Sequence, residues 1–269
     1  MEATPILEIR DITKTYDIIS DPLAACGRRA VLDGVSLTLM PGEIYGFVGL
    51  NGAGKTTTIK IALGLTRPDG GRVRFLGQDA TPEDLRRLGF APEKPSFYEF
   101  LNALETLRYA ARLLGIPHDD DRSRQVLEDL ELWNDREKPV GEYSKGMQQR
   151  LALACAMLHD PDVYILDEPS SGLDPLGRRR VKEILRSLRT RGKTVFFSTH
   201  ILADVRELCD RVGVIHRGRM LFEGPLAGLN PSGSDLEEAF VSLISIHSPS
   251  ASCTETSESE KVVDSKRSC

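Results

Sequence analysis

No run of about 18 apolar residues occurs anywhere in the chain, so no transmembrane helix is expected from it. The amino-terminal stretch MEATPILEIRD carries acids and has no apolar core of signal-peptide length. Cysteine is sparse: Cys26, Cys155, Cys209, Cys253 and Cys269 are odd in number and not closely paired, which argues against a disulfide framework or a C-x-x-C metal site and favours a reducing cytoplasm. Five scattered histidines argue against a zinc centre. Positive charge is also short, since a formal net charge of −5 supplies no general basic field for nucleic acid. There is no internal repeat.

The 269 residues, 40% of them hydrophobic, suffice for a substantial core, which we read as one catalytic unit with two lobes. Residues 49 to 57, GLNGAGKTT, fit the phosphate-cradling pattern G-x-x-x-x-G-K-[ST]. Gly49, Gly52 and Gly54 free the backbone to turn successive N–H groups around an anion, with Asn51 and Ala53 between them. Lys55 adds a mobile cation, Thr56 a hydroxyl for the Mg²⁺ that bridges terminal phosphates, and Thr57 a further donor as a helix begins. The flanks agree: EIYGFV reads as a strand and TTIKIALGL as a helix.

A second site follows. VYILDE, residues 163 to 168, is an apolar run closed by two acids, as expected of a buried strand ending at the carboxyl edge of a parallel sheet. Two acids alone would be an ordinary solvent boundary; beside a phosphate loop, Asp167 becomes a candidate Mg²⁺ ligand and Glu168 a candidate to polarise the attacking water.

Between and after these sites stand YSKGMQQRL (143 to 151), SSGLDP (170 to 175) and FFSTH (196 to 200). Together the motifs resemble the ATP-binding cassette family, and more narrowly the ATPase subunit of bacterial export-associated ABC transporters, whose signature is commonly YSKGM. The resemblance runs from about Ile6 to about Leu243. It implies a P-loop NTPase (RecA-like) α/β core with an antiparallel β subdomain and an inserted α-helical subdomain. It further implies that ATP and Mg²⁺ are bound, with Ser144 and Gly146 meeting the γ-phosphate held by a second ATP-binding subunit, identical or paralogous. Asp174 would link the two sites, His200 would touch the γ-phosphate, and Tyr16 would stack on adenine. A separate transmembrane permease would be the other partner, placing the chain on the cytoplasmic face of the membrane.

Three departures from the family pattern stand out. Glu93 occupies the place of a glutamine in the loop joining the lobes, keeping an oxygen for Mg²⁺ but adding negative charge. Lys145 and Met147 replace a glycine and a glutamine of the signature. The segment DIISDPLAACGRR, 17 to 29, is longer than the usual turn and reads as an exposed loop.

The expected architecture has antiparallel strands in ILEIRDITKTY, AVLDGVSLTL and GRVRFLG, and a nucleotide-bearing sheet of EIYGFVG, LGFAPE, VYILDE, TVFFST and RVGVIHRG. The helical subdomain spans about 95 to 160. Within it NALETLRYAARLLGI sets Leu104, Leu107, Ala111 and Leu114 on one stripe, and RSRQVLEDLELW is a second helix. Just before it, Phe97, Tyr98 and Phe100 are either a groove for a short helix of the membrane subunit or packing for this lobe. The basic run 177 to 193 reads as the solvated face of a helix. The cassette domain takes residues 1 to 245, and the Ser- and Glu-rich remainder, 246 to 269, reads as a flexible tail. Two other functions share these motifs: a soluble cassette ATPase of DNA repair, chromosome structure or translation, and a non-catalytic nucleotide-binding regulator. The first usually carries two cassettes, a coiled coil or zinc insertions, absent here; Glu168 and His200 argue against the second.

Overall fold

The computed structural model describes residues 4–18, 27–230 and 235–247. Two sheets divide the strands. The first is antiparallel, ordered β2-β1-β4-β5, from β1 (Leu7–Ile18), β2 (Gly27–Leu39), β4 (Gly70–Phe75) and β5 (Gln78–Asp79). The second, ordered β10-β9-β3-β8-β7-β6, contains β3 (Ile44–Val48), β6 (Leu88–Ala91), β7 (Val163–Leu166), β8 (Thr194–Thr199), β9 (Arg211–His216) and β10 (Arg219–Pro225). Its five predicted strands are parallel neighbours, while β10 is antiparallel to β9 at the edge. Every residue of β3, β7 and β8 is buried, which is why their sequences are almost continuously apolar rather than alternating.

The helices are α1 (Lys55–Ala62), α2 (Pro82–Arg86), α3 (Ala103–Leu114), α4 (Asp120–Asp129), α5 (Lys145–Met157), α6 (Pro175–Thr190), α7 (Leu202–Leu208), α8 (Leu226–Leu229) and α9 (Leu236–His247). Helix α3 starts at a reciprocal cap, in which the Asn102 side chain accepts from Glu105 N–H and Glu105 accepts from Asn102 N–H, both at 2.9 Å. Of its predicted stripe, Leu107 and Ala111 are fully buried and Leu104 packs at the margin of the same core. Arg122 of α4 donates to the Met157 carbonyl at 2.6 Å, placing a cation on the last carbonyls of α5.

The basic run is more than a solvated face. Val181, Ile184, Leu185 and Leu188 bury one side of α6, and on another side Lys182 meets buried Asp204 of α7 at 2.9 Å. Arg186 pairs with Glu207 of the same helix. These cations join α6 to α7.

The segment expected as a loop after Tyr16 is partly ladder: Asp17 pairs with Arg28 and Ile18 with Gly27. Residues 19–26 lie outside the described residues, as do residues 248–269, which make up most of the proposed tail; α9 itself continues to His247. No helix among the described residues is long and apolar enough to cross a membrane.

Candidate functional site

Strand β3 ends at Val48, helix α1 begins at Lys55, and the phosphate-loop motif is the turn between them. Gly49 is required by close approach, since a Cβ there would lie 2.5 Å from the Ile215 carbonyl. Gly54 is required by its φ of 114° and by Leu32, whose Cδ2 would stand 2.6 Å from an added Cβ.

Beside this turn is a cavity of about 390 Å³, lined by Asn51, Gly52, Gly54, Lys55, Thr56, Thr57, Glu93, Glu168 and His200, with Val31 and Ser171. The parallel ladder explains the convergence. Val48 pairs with Thr199 and Leu166 with Phe197, so the phosphate loop, the two acids and His200 all leave the same end of adjacent strands.

Lys55 is 6% exposed, and its Nζ donates to the Gly49 carbonyl at 2.7 Å. It also stands 3.1 Å from Glu168 Oε1, a buried ion pair. The other oxygen, Glu168 Oε2, is 2.8 Å from His200 Nδ1. Glu168 takes a left-handed backbone (φ 49°), and its N–H donates to Ser198 Oγ at 2.9 Å. Asp167, 3% exposed, is absent from that lining; its N–H donates to the Ala91 carbonyl and its Oδ1 accepts from Ser198.

Most residues picked out by the sequence meet here, but not all. Tyr16 stands outside the lining, 41% exposed, with Lys14 Nζ 5.5 Å from its ring centre; Val31 of β2 lines the cavity instead. Neither Val31 nor Ser171 carries a sequence signal beyond its neighbourhood. Among the described residues no three His, Cys, Asp or Glu side chains form a metal cluster. A divalent cation here would therefore draw ligands from Thr56 and from phosphate as well as from carboxylate, which suits a hard, oxygen-seeking ion such as Mg²⁺.

Ser144, Gly146 and Asp174 lie in a different cavity, also about 390 Å³, with Glu131, Lys145, Arg150, Gly172, Leu173, Leu176, Gly177 and Arg180. The two cavities share no lining residue. Ser144 caps α5, accepting from Met147 N–H at 3.3 Å, and Asp174 caps α6, accepting from Gly177 N–H at 2.7 Å.

A third hollow of about 320 Å³ is lined by Ser96, Phe97, Tyr98, Leu101, Thr106 and Tyr109. Phe97 packs against the core cluster that α3, α4, α5 and α6 share with the parallel sheet, whereas Tyr98 and Phe100 are 53% and 77% exposed. Of the two readings given for Phe100, its exposure goes against packing in the lobe. Tyr98 meets Tyr109 edge-on at 5.5 Å, and a hydrogen bond between the two phenols raises the pKa of Tyr109.

Residues 32–171 match the family described as ABC transporter, more than half of the chain. The chain is 45% identical to an uncharacterized ABC transporter ATP-binding protein of Synechocystis sp. over 72% of its own length, and spans 56% of that protein. It is 41% identical to the bacitracin transport ATP-binding protein BcrA of Bacillus licheniformis, covering 82% of this chain and 70% of that one. A solved ATP-binding subunit of an ABC transporter superposes with a TM-score of 0.75 at 32% identity, over 89% of this chain and 99% of the other. The fold is that of a P-loop NTPase, and the chain belongs to the ABC transporter family as an ATP-binding cassette.

Proposed function

We propose that this chain is the ATP-hydrolysing subunit of an ABC transporter and powers export through a separate transmembrane permease. The observation that carries the reading is the meeting of Lys55, Glu168 and His200 in one cavity with the phosphate loop. The YSKGM signature and the likeness to a bacitracin transport protein favour export.

Each residue has a task in this reading. The loop N–H groups and Lys55 bind the phosphates, with Asn51, Ala53, Thr56 and Thr57 completing the cradle. Thr56, Asp167 and Glu93 would hold Mg²⁺, which when bound offsets phosphate charge. Glu168 polarises the attacking water, and His200, hydrogen-bonded to Glu168, faces the terminal phosphate. Val31 joins Tyr16 as a candidate for the adenine side, because Val31 is the apolar residue at the cavity wall.

The separate position of Ser144, Gly146 and Asp174 fits a second copy or a paralogue closing over the nucleotide, each chain lending its second cavity to the other's first. Tyr98 and Phe100 offer an exposed aromatic surface for a helix of the permease on the cytoplasmic face of the membrane. The test is affinity capture of a tagged Glu168→Gln variant from detergent-solubilised membranes with ATP present. A multi-span membrane protein among the captured partners supports the transporter; only soluble partners would move a soluble cassette ATPase to first place.

A further inference from the structure

Strand β8 is almost wholly apolar in its middle, Val195, Phe196 and Phe197, yet the next residue is a serine with no exposed surface. A buried hydroxyl is unfavourable unless its hydrogen-bonding capacity is used. Here it is used twice. Ser198 Oγ donates to Asp167 Oδ1 at 2.6 Å and accepts from Glu168 N–H at 2.9 Å. Because a backbone N–H can only donate, the single hydroxyl proton of Ser198 is committed to the Asp167 carboxylate, and its orientation is determined.

The second bond acts on backbone. Glu168 holds a left-handed conformation that non-glycine residues adopt only where surroundings enforce it. Ser198 secures the N–H side of that residue, while the Glu168 carbonyl accepts from Ser171 N–H at 3.0 Å. Glu168 is thereby aimed with one oxygen at Lys55 and the other at His200.

We infer that Ser198 is a positioning residue for ATP hydrolysis, which orients the Asp167 carboxylate and sets the backbone that presents Glu168 to the attacking water. This rests on the ATPase reading above. Ser198 is absent from the cavity lining; it acts through its two hydrogen-bond partners, Asp167 and Glu168.

The test compares S198T, which keeps the hydroxyl, with S198V, which matches threonine in shape and lacks it, in the full chain. Removing a supporting hydrogen-bond partner of this kind costs about 10–100-fold. S198V is therefore expected to lose about 10–100-fold in kcat while its Kd for ATP stays within about twofold, and S198T to recover most of the loss. A second readout needs no turnover: Mn²⁺ titration of the chain with a non-hydrolysable ATP analogue, followed by electron paramagnetic resonance, should be weakened in S198V and S198A and not in S198T. Thermal melting shows which variants fold, and S198A, with the smaller side chain, serves if S198V does not. Equal kcat and Mn²⁺ affinity in S198V and parent, or equal losses in S198V and S198T, would overturn the assignment while leaving the ATPase reading intact. A parent chain that binds no ATP would overturn both.

Discussion

In the cavity at the phosphate loop Lys55 and Glu168 are buried and paired with each other, and Glu168 also meets the more exposed His200. In the cavity at the head of α5 the named polar groups are spent on their own helix ends, Ser144 on Met147 N–H and Asp174 on Gly177 N–H. The first is organised by interior forces, because a buried charge must be paired. The second is organised by helix capping, which works at a solvent boundary and leaves the far side open. On the proposed function the contrast separates a preformed half, where a buried cation already stands beside the phosphate loop, from a half that would complete a site only when another surface covered it.

The comparison can be broken most sharply at Glu168. Glu168→Gln removes the charge opposite Lys55 and the candidate base together, so ATP turnover should fall by about 10²–10⁴-fold with ATP binding retained. Coupled phosphate release alongside nucleotide binding measures this, and turnover at the parent rate would end the mechanism. The second cavity is probed by Gly146→Asp, where a Cβ has room, its nearest neighbour being Leu173 Cδ2 at 3.7 Å. A carboxylate there should cut turnover by about tenfold or more and leave the Kd for ATP of the isolated chain within about twofold. A parallel loss of binding would mean that the two cavities are not independent in one chain.

A smaller effect is expected at the exposed rings. Tyr98→Ala with Phe100→Ala should weaken capture of the membrane partner by about tenfold, as loss of an aromatic anchor does, without changing basal ATPase activity. Phe97 is left in place because it packs against the core. The mildest expectation concerns two partly buried thiols. Burial pushes Cys155 up from 9.0 to about 12, and Cys209 higher than the ordinary thiol range. The folded chain therefore favours the protonated thiol, and the corresponding stability is complete below pH 9.0 and declines as pH rises towards about 12. At about pH 8.5 both thiols should alkylate more slowly in the folded chain than in urea, as read by peptide mass spectrometry.

What the sequence discloses follows burial. Strands β3, β7 and β8 were readable because both faces are covered and their residues are apolar throughout. Strand β10, MLFE framed by Arg219 and Gly224, was missed because it is a half-exposed edge whose pattern is weak. The motifs pointed to the phosphate loop, Glu168 and His200, which line one cavity, and to Asp167 beside Glu168, since a motif selects a residue type at each position. Val31 was not legible, because its place at the cavity comes from a sheet packing across the loop. Nor was the work of Ser198, although one signal was present: a hydroxyl closing an apolar strand, next to a strand that ends in two acids.

One hydrogen bond outside both cavities joins an element of each. Gln149 of α5, 2% exposed, donates from Nε2 to the Pro92 carbonyl at 3.3 Å, one residue before Glu93. Helix α5 has 13 residues, a rod of about 20 Å, clamped at its far end by Arg122 on Met157. A tilt of about 10° around that clamp would carry Ser144 by about 3 Å and Gln149 by about 2 Å, on the same rise per residue. A hydrogen bond cannot stretch that far, so the Pro92–Glu93 backbone must travel with the rod or release it. Under such a tilt the helix would act as a lever, with Gln149 passing its movement to the backbone beside Glu93 at the cavity.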